Sequence, residues 1–555
     1  MRLYHRDTEY FYVSFSYDPA LVAEIKRFRD AGFNPENKEW YIPVSIDTLP
    51  SIKMWLKDRG FEEGINYFPS KRVLEYVPPE EILSPEDVQE GCKELGLKRT
   101  PRRYQLEGIS YMINHGNCIN GDGCGLGKTG QAICVAELLG CFPLLVICPA
   151  SVKYNWKKEW AEWNPNRSVG VVDTHKKKTL ENAWDHEVVV INYDILGERN
   201  LDNNKVKAKF RELMRKSWEA CIVDEIHFLK SGKALRTRMA KKVTGRIPMV
   251  WGLTGTLTQN KPIDLVEPYR ILRRFDEVFG SANEFKFRYC NGKFTRYGFD
   301  YSGFSNLEEL HEMLTMSGYI RRNKRDVLDE LPPLIEERVD VPISNSREYT
   351  RAEADLIEYL SKIDLTKASS AANAPHLVMI QTLKALSIQG KLKFIKRYIQ
   401  DWLDANEEKC LVVFGVHREP LQVLAGHFGA PVLQGGISPS RKQALVDEFS
   451  EGRHRVLFAN IQTAGTGTDG LQRASSDLIY IELPDRFTDI EQTNSRLERM
   501  GQENCITVTY LLSNETIDVD MWDMVQEKGL ITGVVNHGAS ENALLARKFL
   551  LRHTD

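Results

Sequence analysis

The 555-residue sequence predicts an α/β protein built from two tandem doubly wound parallel-sheet domains, a helical insertion between them and a small α+β domain in front. Two observations carry the paired domains. Short apolar runs without alternation recur in two stretches: Leu144 to Cys148, Val188 to Ile191, Cys221 to Val223 and Met249 to Leu253, then Leu411 to Phe414, Val456 to Ala459, Leu478 to Ile481 and Ile506 to Leu512. Runs of this kind suit parallel strands buried on both faces, and helical patterns between them suit a doubly wound sheet. A third observation, the aromatic and basic texture of 276–384, sets that interval apart. With 42% hydrophobic and 27% charged residues, wholesale disorder is excluded. A net charge of −3 excludes a polycation, so any basic patch is local. Ten scattered cysteines without a C-x-x-C pair argue against a zinc ribbon or disulfide framework and for a reducing interior. No apolar run approaches the ~18 residues of a membrane span, and the N-terminus has no signal-like core, so a cytoplasmic protein is expected.

In chain order, 1–75 reads as the small α+β domain. Tyr10 to Tyr17 has strand composition, Leu21 to Phe28 helical spacing, Asn37 to Val44 strand character, and Ile52 to Leu56 helical character. Pro78-Pro79 and the acidic stretch after it read as a linker over 76–97. Residues 98–275 form the first doubly wound domain. The insertion at 276–384 passes Phe285-Lys286-Phe287-Arg288-Tyr289, the run Arg321-Arg322-Asn323-Lys324-Arg325 and Leu331-Pro332-Pro333. It ends in the small-residue connection Ala368 to Pro375. The second doubly wound domain is 385–535, and 536–555 a tail.

The sharpest local signal is Asp122-Gly123-Cys124-Gly125-Leu126-Gly127-Lys128-Thr129. Glycines let a loop wrap phosphates and aim N–H groups at them, and a helix starting at Lys128 adds its positive end. Lys128 can neutralise phosphate charge and the Thr129 hydroxyl can ligate magnesium. The usual pattern has glycine where Asp122 stands. Gly125, Gly127 and Gly130 also spell a dinucleotide fingerprint, but the next strand is not followed by the carboxylate that fingerprint requires. A plain glycine-rich turn is the bland alternative. Asp224-Glu225-Ile226-His227 decides among them. Two carboxylates emerge at the end of a buried strand, where ligand chemistry sits in open α/β sheets. Asp224 can hold magnesium, while Glu225 can orient and deprotonate an attacking water. ATP hydrolysis is the reaction these residues predict.

Over about 100–535 the chain resembles, motif by motif and in order, the Swi/Snf-related superfamily 2 of double-stranded DNA translocases, whose motor is a pair of RecA-like domains. Arg102 to Gly108 is similar to the adenine-reading segment, with Tyr104 and Gln105 at the nucleotide. The family's own phosphate loop carries aspartate at its first position, as Asp122 does here. Cys148 to Trp156 resembles a DNA-contacting segment. Leu253-Thr254-Gly255-Thr256-Leu257-Thr258-Gln259-Asn260 resembles the coupling motif L-T-G-T-P-x-x-N, with Leu257 in place of proline.

The second domain continues the match. Val413 to His417 resembles its strand-end DNA contact, and Thr463 to Leu471 the glycine-rich loop that touches nucleotide and DNA, with Gly467 and Asp469 on the nucleotide side. Gln492, Ser495, Arg496, Arg499, Gly501 and Gln502 fit Q-x-x-x-R-x-x-R-x-G-Q, although Glu498 replaces the usual histidine and Ser495 the usual aspartate. Arg496 and Arg499, three apart, are expected on one helix face as the cations inserted when the γ-phosphate leaves. The resemblance implies DNA contacts at Ser151, Lys153, Asn155, Trp156, Thr254, His417, Gln462 and Thr463. It also lends Tyr319 to Pro333 an expected DNA contact, because that run is similar to I-R-R-x-K-x-D-V-x-x-x-L-P. Phe33 to Pro43 is similar to the small HARP domain that precedes the motor in annealing helicases.

The expectation is therefore an ATP- and magnesium-dependent translocase on duplex or forked DNA, with reannealing or branch migration as its output and a partner in replication, repair or recombination. A strand-separating helicase shares every ATP-site residue. A subunit of a larger DNA-processing complex would need a nuclease or recruitment domain from another chain, and a DNA-binding scaffold with a dead motor would lack the catalytic side chains present here. The compact motor hints at a bacterial or viral source; a eukaryotic one would place it in the nucleus.

Overall fold

The computed structural model describes residues 2–4, 10–15, 17–28, 31–35, 38–43, 55, 83–174, 182–199, 206–257, 261–295, 298–328, 330–354, 375–464 and 470–537. Its first large sheet has seven strands: β1 (Cys118–Asn120), β2 (Leu144–Cys148), β3 (Val169–Val171), β4 (Val188–Asn192), β5 (Ala220–Asp224), β6 (Met249–Leu253) and β7 (Tyr319–Ile320). They lie side by side as β7-β1-β6-β5-β2-β4-β3, every neighbouring pair parallel. The absence of alternation in the sequence has a direct cause here. Leu145, Ile147, Val189, Ile191, Cys221 and Val223 pack into one core, while Leu144, Val146, Val188, Val190, Ala220 and Ile222 pack into another on the opposite face.

The second large sheet repeats the plan with β8 (Leu334–Asp340), β9 (Leu411–Gly415), β10 (Val432–Leu433), β11 (Val456–Asn460), β12 (Asp477–Tyr480) and β13 (Ile506–Leu512), ordered β8-β13-β12-β9-β11-β10 and all parallel. Again alternate residues feed two cores, Val412, Phe414, Leu478 and Tyr480 on one side and Leu411, Val413, Ile479 and Ile481 on the other. All eight apolar runs of the sequence are strands.

The interval 276–384 differs from a purely helical insertion. It contains helices, including Ala282–Tyr289, but it also lends β7 to the first sheet and β8 to the second. Strand β7 runs beside β1 and continues pairing past its end. Ile119, Gly121 and Gly123 donate backbone N–H groups to Gly318, Ile320 and Arg322 at 2.7, 2.7 and 3.0 Å. The basic run that follows β7 is thereby laid along the phosphate loop. The interval 76–97, read as a linker, holds a helix at Pro85–Glu94. Ser84 and Asp87 form its capping box, and Val88 and Cys92 bury into the first domain's core.

Near the N-terminus, strands Arg2–Tyr4, Tyr10–Ser14, Glu39–Pro43 and Gly32–Asn34 form an antiparallel sheet in that order. A helix at Pro19–Ile25, capped by Asp18, packs on it through Ile25, against Val13, Ile42 and Trp55. Helix character at Ile52 to Leu56 lies outside the described residues except for Trp55, as does the connection at 368–374.

Candidate active site

Strand β1 ends at Asn120, and the glycine-rich loop runs from there into helix α1 (Lys128–Leu139). Two of its glycines are conformationally required: Gly125 at φ +91° and Gly127 at φ +76° occupy the left-handed region. A Cβ at Gly127 would also meet Gln105 Nε2 at 2.3 Å. Gln105, in the first turn of helix Arg103–His115, braces the loop: its Nε2 donates to the Leu126 carbonyl at 3.1 Å and its Oε1 accepts from the Arg102 N–H at 2.9 Å. Tyr104 packs beneath, in a cluster with the fully buried Leu126. Lys128 Nζ donates to the carbonyls of Asp122 and Gly123 at 2.7 and 3.3 Å, and Cys124 and Thr129 are half-buried at the loop's rim.

Asp122, expected to touch nucleotide, is instead wholly buried and fully engaged. Arg322 Nε and Nη2 reach its two oxygens at 3.0 and 2.5 Å, Gln131 Nε2 donates at 2.9 Å, and the Arg322 backbone N–H at 3.1 Å. Aspartate stands where most phosphate loops have glycine because it receives an arginine from the strand beside the loop. The same contact corrects the expectation for the basic run. Arg321 Nη1 donates to Gly121 O at 3.1 Å and also to Gly255 O, and Lys324 is 7% exposed. Three of the run's cations face the phosphate loop rather than DNA. Lys324's ammonium is pushed down to about 8 by burial, against the pull of Glu498.

Asp224 and Glu225 leave the end of β5, two positions across the sheet from β1. Glu225 adopts φ +52°, a rare conformation for a side chain with a Cβ, which turns it away from the strand line. Asp224 is held by Trp156 Nε1 at 2.8 Å and, through its carbonyl, by the Tyr193 hydroxyl. Burial and the neighbouring Glu225 push its carboxyl up to about 7. Burial works the same way on Glu225, but His227, Lys128 and Arg496 outweigh it and hold that carboxyl below its ordinary range. Glu225 Oε2 is buried and makes no hydrogen bond, though His227 Nδ1 lies 3.2 Å away. Thr129 in the first turn of α1 and Asp224 at the end of β5 are oxygen donors of the kind that suits a divalent cation, and they are the residues that would hold one.

His227 Nδ1 lies 2.8 Å from Thr254 Oγ1 at the end of β6. Thr254 is wholly buried and does not face solvent. Its role is to tie the coupling motif to the carboxylate box, while Gly255 packs so closely on Cys124 that a Cβ would lie 2.6 Å from the sulfur.

From the second domain, the turn bearing Arg496 and Arg499 reaches this wall. A Cβ at Gly125 would lie 3.6 Å from Arg499 Cγ and 3.8 Å from its Nε, and Arg496's charge is felt at Glu225. The two arginines are not on a helix face. Helix Phe487–Asn494 ends before them because the Ser495 hydroxyl donates to the Gln492 carbonyl at 2.7 Å, and the Arg496 N–H bonds Thr493 O at 3.0 Å instead. Gly467 and Asp469 lie outside the described residues.

The expected DNA residues divide. On helix α2 (Lys153–Trp163), Asn155 is exposed together with Tyr154, Lys157 and Lys158, and Ser151 just before it is half-buried. Trp156 and Lys153 point inward, Trp156 at 2% exposure onto Asp224 and Lys153 onto the Val172 carbonyl at 3.2 Å. In the second domain Gln462 is exposed and Thr463 buried. His417 pairs through Nδ1 with the buried Glu482, whose other oxygen accepts the N–H groups of Val416 and His417 at 3.0 Å. The structure gives the loop three partners: Gln131, which sequence reasoning did not single out, and Arg322 and Lys324, which it read only as members of a basic run expected at DNA. Nothing in a two-residue strand followed by charges signals an inward arginine.

A model of the SNF2-related domain matches residues 104–390, more than half of the chain. The chain belongs to the SNF2-related family. It is 30% identical over 453 residues to the human DNA annealing helicase and endonuclease ZRANB3, covering 79% of this chain and 40% of that protein. It is 29% identical over 458 residues to a Xenopus tropicalis SWI/SNF-related matrix-associated actin-dependent regulator of chromatin, subfamily A-like protein 1, covering 80% and 46%. This SNF2-related chain thus spans less than half the length of either relative. A solved structure, the Sulfolobus solfataricus SWI2/SNF2 ATPase core in complex with dsDNA, aligns with a TM-score of 0.37 at 20% identity, covering 81% of this chain and 97% of that one.

Proposed function

We propose that this chain is a DNA-dependent ATPase that moves along double-stranded DNA and reanneals or remodels forked and branched DNA. The observation that carries the reading is Arg499 lying against Gly125 of the phosphate loop, with Arg496 close enough to bias Glu225. Hydrolysis between two α/β domains needs a loop for the phosphates, a base for water and a cation from the opposite wall.

The chain's residues divide that work. Lys128 and the loop N–H groups receive the β- and γ-phosphates, and Gln105 and Tyr104 stand where the base would lie. Glu225, half-buried and held in its ionised form, takes the proton of the attacking water. Magnesium bound at Thr129 and Asp224 would supply charge neutralisation on the phosphate oxygens. Arg496 and Arg499 stabilise the charge of the leaving phosphoryl group, worth ~10³–10⁵ in rate for arginine fingers generally. Closing and opening of the cleft change the separation between a grip at Ser151 and Asn155 and a second at His417, Gln462 and Thr463. In this reading 98–275 and 385–535 are the motor domains, and 1–75 anchors DNA. The annealing activity in the name of the human relative supports reannealing as the output, and contacts to backbone phosphates make movement independent of sequence.

The test is steady-state ATP hydrolysis with no nucleic acid, single-stranded DNA, duplex DNA, forked DNA and RNA. Duplex or forked DNA should stimulate most. Stimulation by single strands or RNA alone would replace the translocase with a strand-separating helicase. Glu225→Gln should retain ATP binding and lose turnover.

A further inference from the structure

The arginine turn is fastened to the phosphate-loop wall by a residue that has no part in the chemistry above. Glu498 sits between Arg496 and Arg499, where the family pattern has histidine. Its backbone carbonyl accepts from Lys324 Nζ at 2.7 Å, and one carboxylate oxygen lies 3.6 Å from the same ammonium. The other oxygen takes Arg325 Nε at 3.2 Å. Lys324 and Arg325 open the short helix Lys324–Val327, separated by three residues from β7, whose pairing runs alongside the phosphate loop. The Lys324 stem lies over the loop itself: a Cβ at Gly123 would sit 3.4 Å from its Cγ, and one at Gly125 3.8 Å from its Cε.

The Lys324–Glu498 half of the clasp is shielded from water, its side chains 6% and 16% exposed, while Arg325, 55% exposed, closes it from the solvent side. In such a setting a two-cation, one-carboxylate contact is directional and fixes geometry more than it adds stability. The charge balance makes it decisive. Lys324 also feels Lys128 and Arg499, and Glu498 is the carboxylate that offsets it, as Asp122 offsets Arg322 at the same loop. Without it, mutual repulsion would drive the arginine turn away from the loop. Every member of the clasp is a protein group, so its formation needs no phosphate.

We propose that Glu498, gripped by Lys324 and Arg325, is a positioning residue that seats the Arg496–Arg499 turn over the phosphate loop before nucleotide arrives. The inference rests on the reading of Arg499 as the group that enters the hydrolysis site. Histidine at this position would leave the backbone bond to Lys324 but remove the carboxylate. Seating in this chain therefore depends on a contact that the usual family pattern lacks.

The experiment compares full-length wild type, Glu498→Gln, Lys324→Met, Lys324→Arg and the double variant Glu498→Gln/Lys324→Met. Two readouts are taken: hydrogen–deuterium exchange of 495–502 without nucleotide, and kcat and KM for ATP with saturating duplex DNA. Glu498→Gln and Lys324→Met should each speed exchange in that turn at least tenfold and lower kcat at least tenfold, with KM within threefold. The double variant should fall clearly short of the summed single losses, because the Lys324–Glu498 carboxylate contact is shared by both, while each single also removes one contact of its own. Lys324→Arg should recover most of the loss, which also separates a lost clasp from a chain that fails to fold. Unchanged exchange in Glu498→Gln, kcat within twofold of wild type, or additive losses in the double variant would overturn the proposal. A wild type that hydrolyses no ATP would sink the functional reading, while the exchange comparison would still judge the clasp.

Discussion

Arg322→Met should destabilise the first α/β domain by about 3–5 kcal/mol, the usual cost of stranding one half of a buried ion pair. Asp122 is wholly buried and the Arg322 side chain is 13% exposed, so water cannot substitute for the missing guanidinium. Four Arg322 contacts disappear at once: two to Asp122, one to the Gln131 Oε1 and one to the Tyr104 carbonyl. Gln131 Nε2 and the backbone N–H of residue 322 would still serve the carboxylate, which places the loss toward the lower end, about 3 kcal/mol. Removing the anion as well should return much of it. Asp122→Gly restores the residue most phosphate loops carry, so Asp122→Gly/Arg322→Met should fall short of the summed single losses by about 2 kcal/mol. Urea unfolding followed by tryptophan fluorescence is the assay, since Trp156, Trp160, Trp163, Trp184, Trp218 and Trp251 all report on this domain. A loss under about 1 kcal/mol for Arg322→Met, or additive losses in the double variant, would show that the pair does not organise the loop.

Trp156→Phe keeps the ring's packing but deletes the bond to Asp224, a charge-assisted contact worth about 1.5–3 kcal/mol. Turnover should drop at least tenfold with duplex affinity within twofold; lost DNA binding with intact turnover would put Trp156 on the DNA surface after all. Lys157→Ala and Lys158→Ala remove exposed cations from the outer face of α2, and each should lower the salt dependence of duplex binding by roughly one unit of slope. Binding curves that keep the wild-type slope would move the first grip elsewhere. The bond to Glu482 raises His417 above its ordinary value, and the same contact outweighs burial to hold Glu482 low. The pair's stabilisation is then full below the unfolded histidine value near 6.5, fades as pH climbs through the higher folded value, and is lost in acid as pH falls through the depressed Glu482 value. NMR titration should find His417 above 6.5 in wild type and lower in Glu482→Gln; a wild-type value at or below 6.5 would refute it.

The sequence made the strands legible wherever burial on both faces erased alternation, and all eight such runs form the centres of the two sheets. The five remaining strands of these two sheets escaped for physical reasons. Cys118–Asn120, Val169–Val171, Tyr319–Ile320 and Val432–Leu433 have two or three residues each, too few for any periodicity. Leu334–Asp340 is an edge strand whose exposure lets it carry two glutamates, an arginine and an aspartate, and so it reads as a polar connection. The capped helix at Pro85–Glu94 was present in Ser84-Pro85-Glu86-Asp87 but masked by the acidic composition around it.

At the site, residue types were legible and their directions were not. The sequence places Trp156, Lys153 and Thr254 in short segments expected to touch DNA, yet it cannot say which face of a helix or strand end they occupy, and all three are buried. The structure splits helix α2 by face. Asn155, Lys157 and Lys158 look outward, and Trp156, one residue from Asn155, holds Asp224. The proposed grip on the outer face and Asp224 on the inner one are therefore separated by the width of one helix. The same logic governs Thr254, which bonds the histidine of the carboxylate box instead of solvent. A helix is stiff on the length scale of one turn, so in the proposed reading a DNA phosphate bound at the Asn155 face would displace the indole that fixes Asp224. In the proposed translocase, residues that a linear pattern groups as DNA contacts would act in series, the exposed ones taking the load and the buried ones delivering it to the carboxylates. That division is why Trp156→Phe is expected to cost turnover and spare DNA affinity, while the flanking lysines do the reverse.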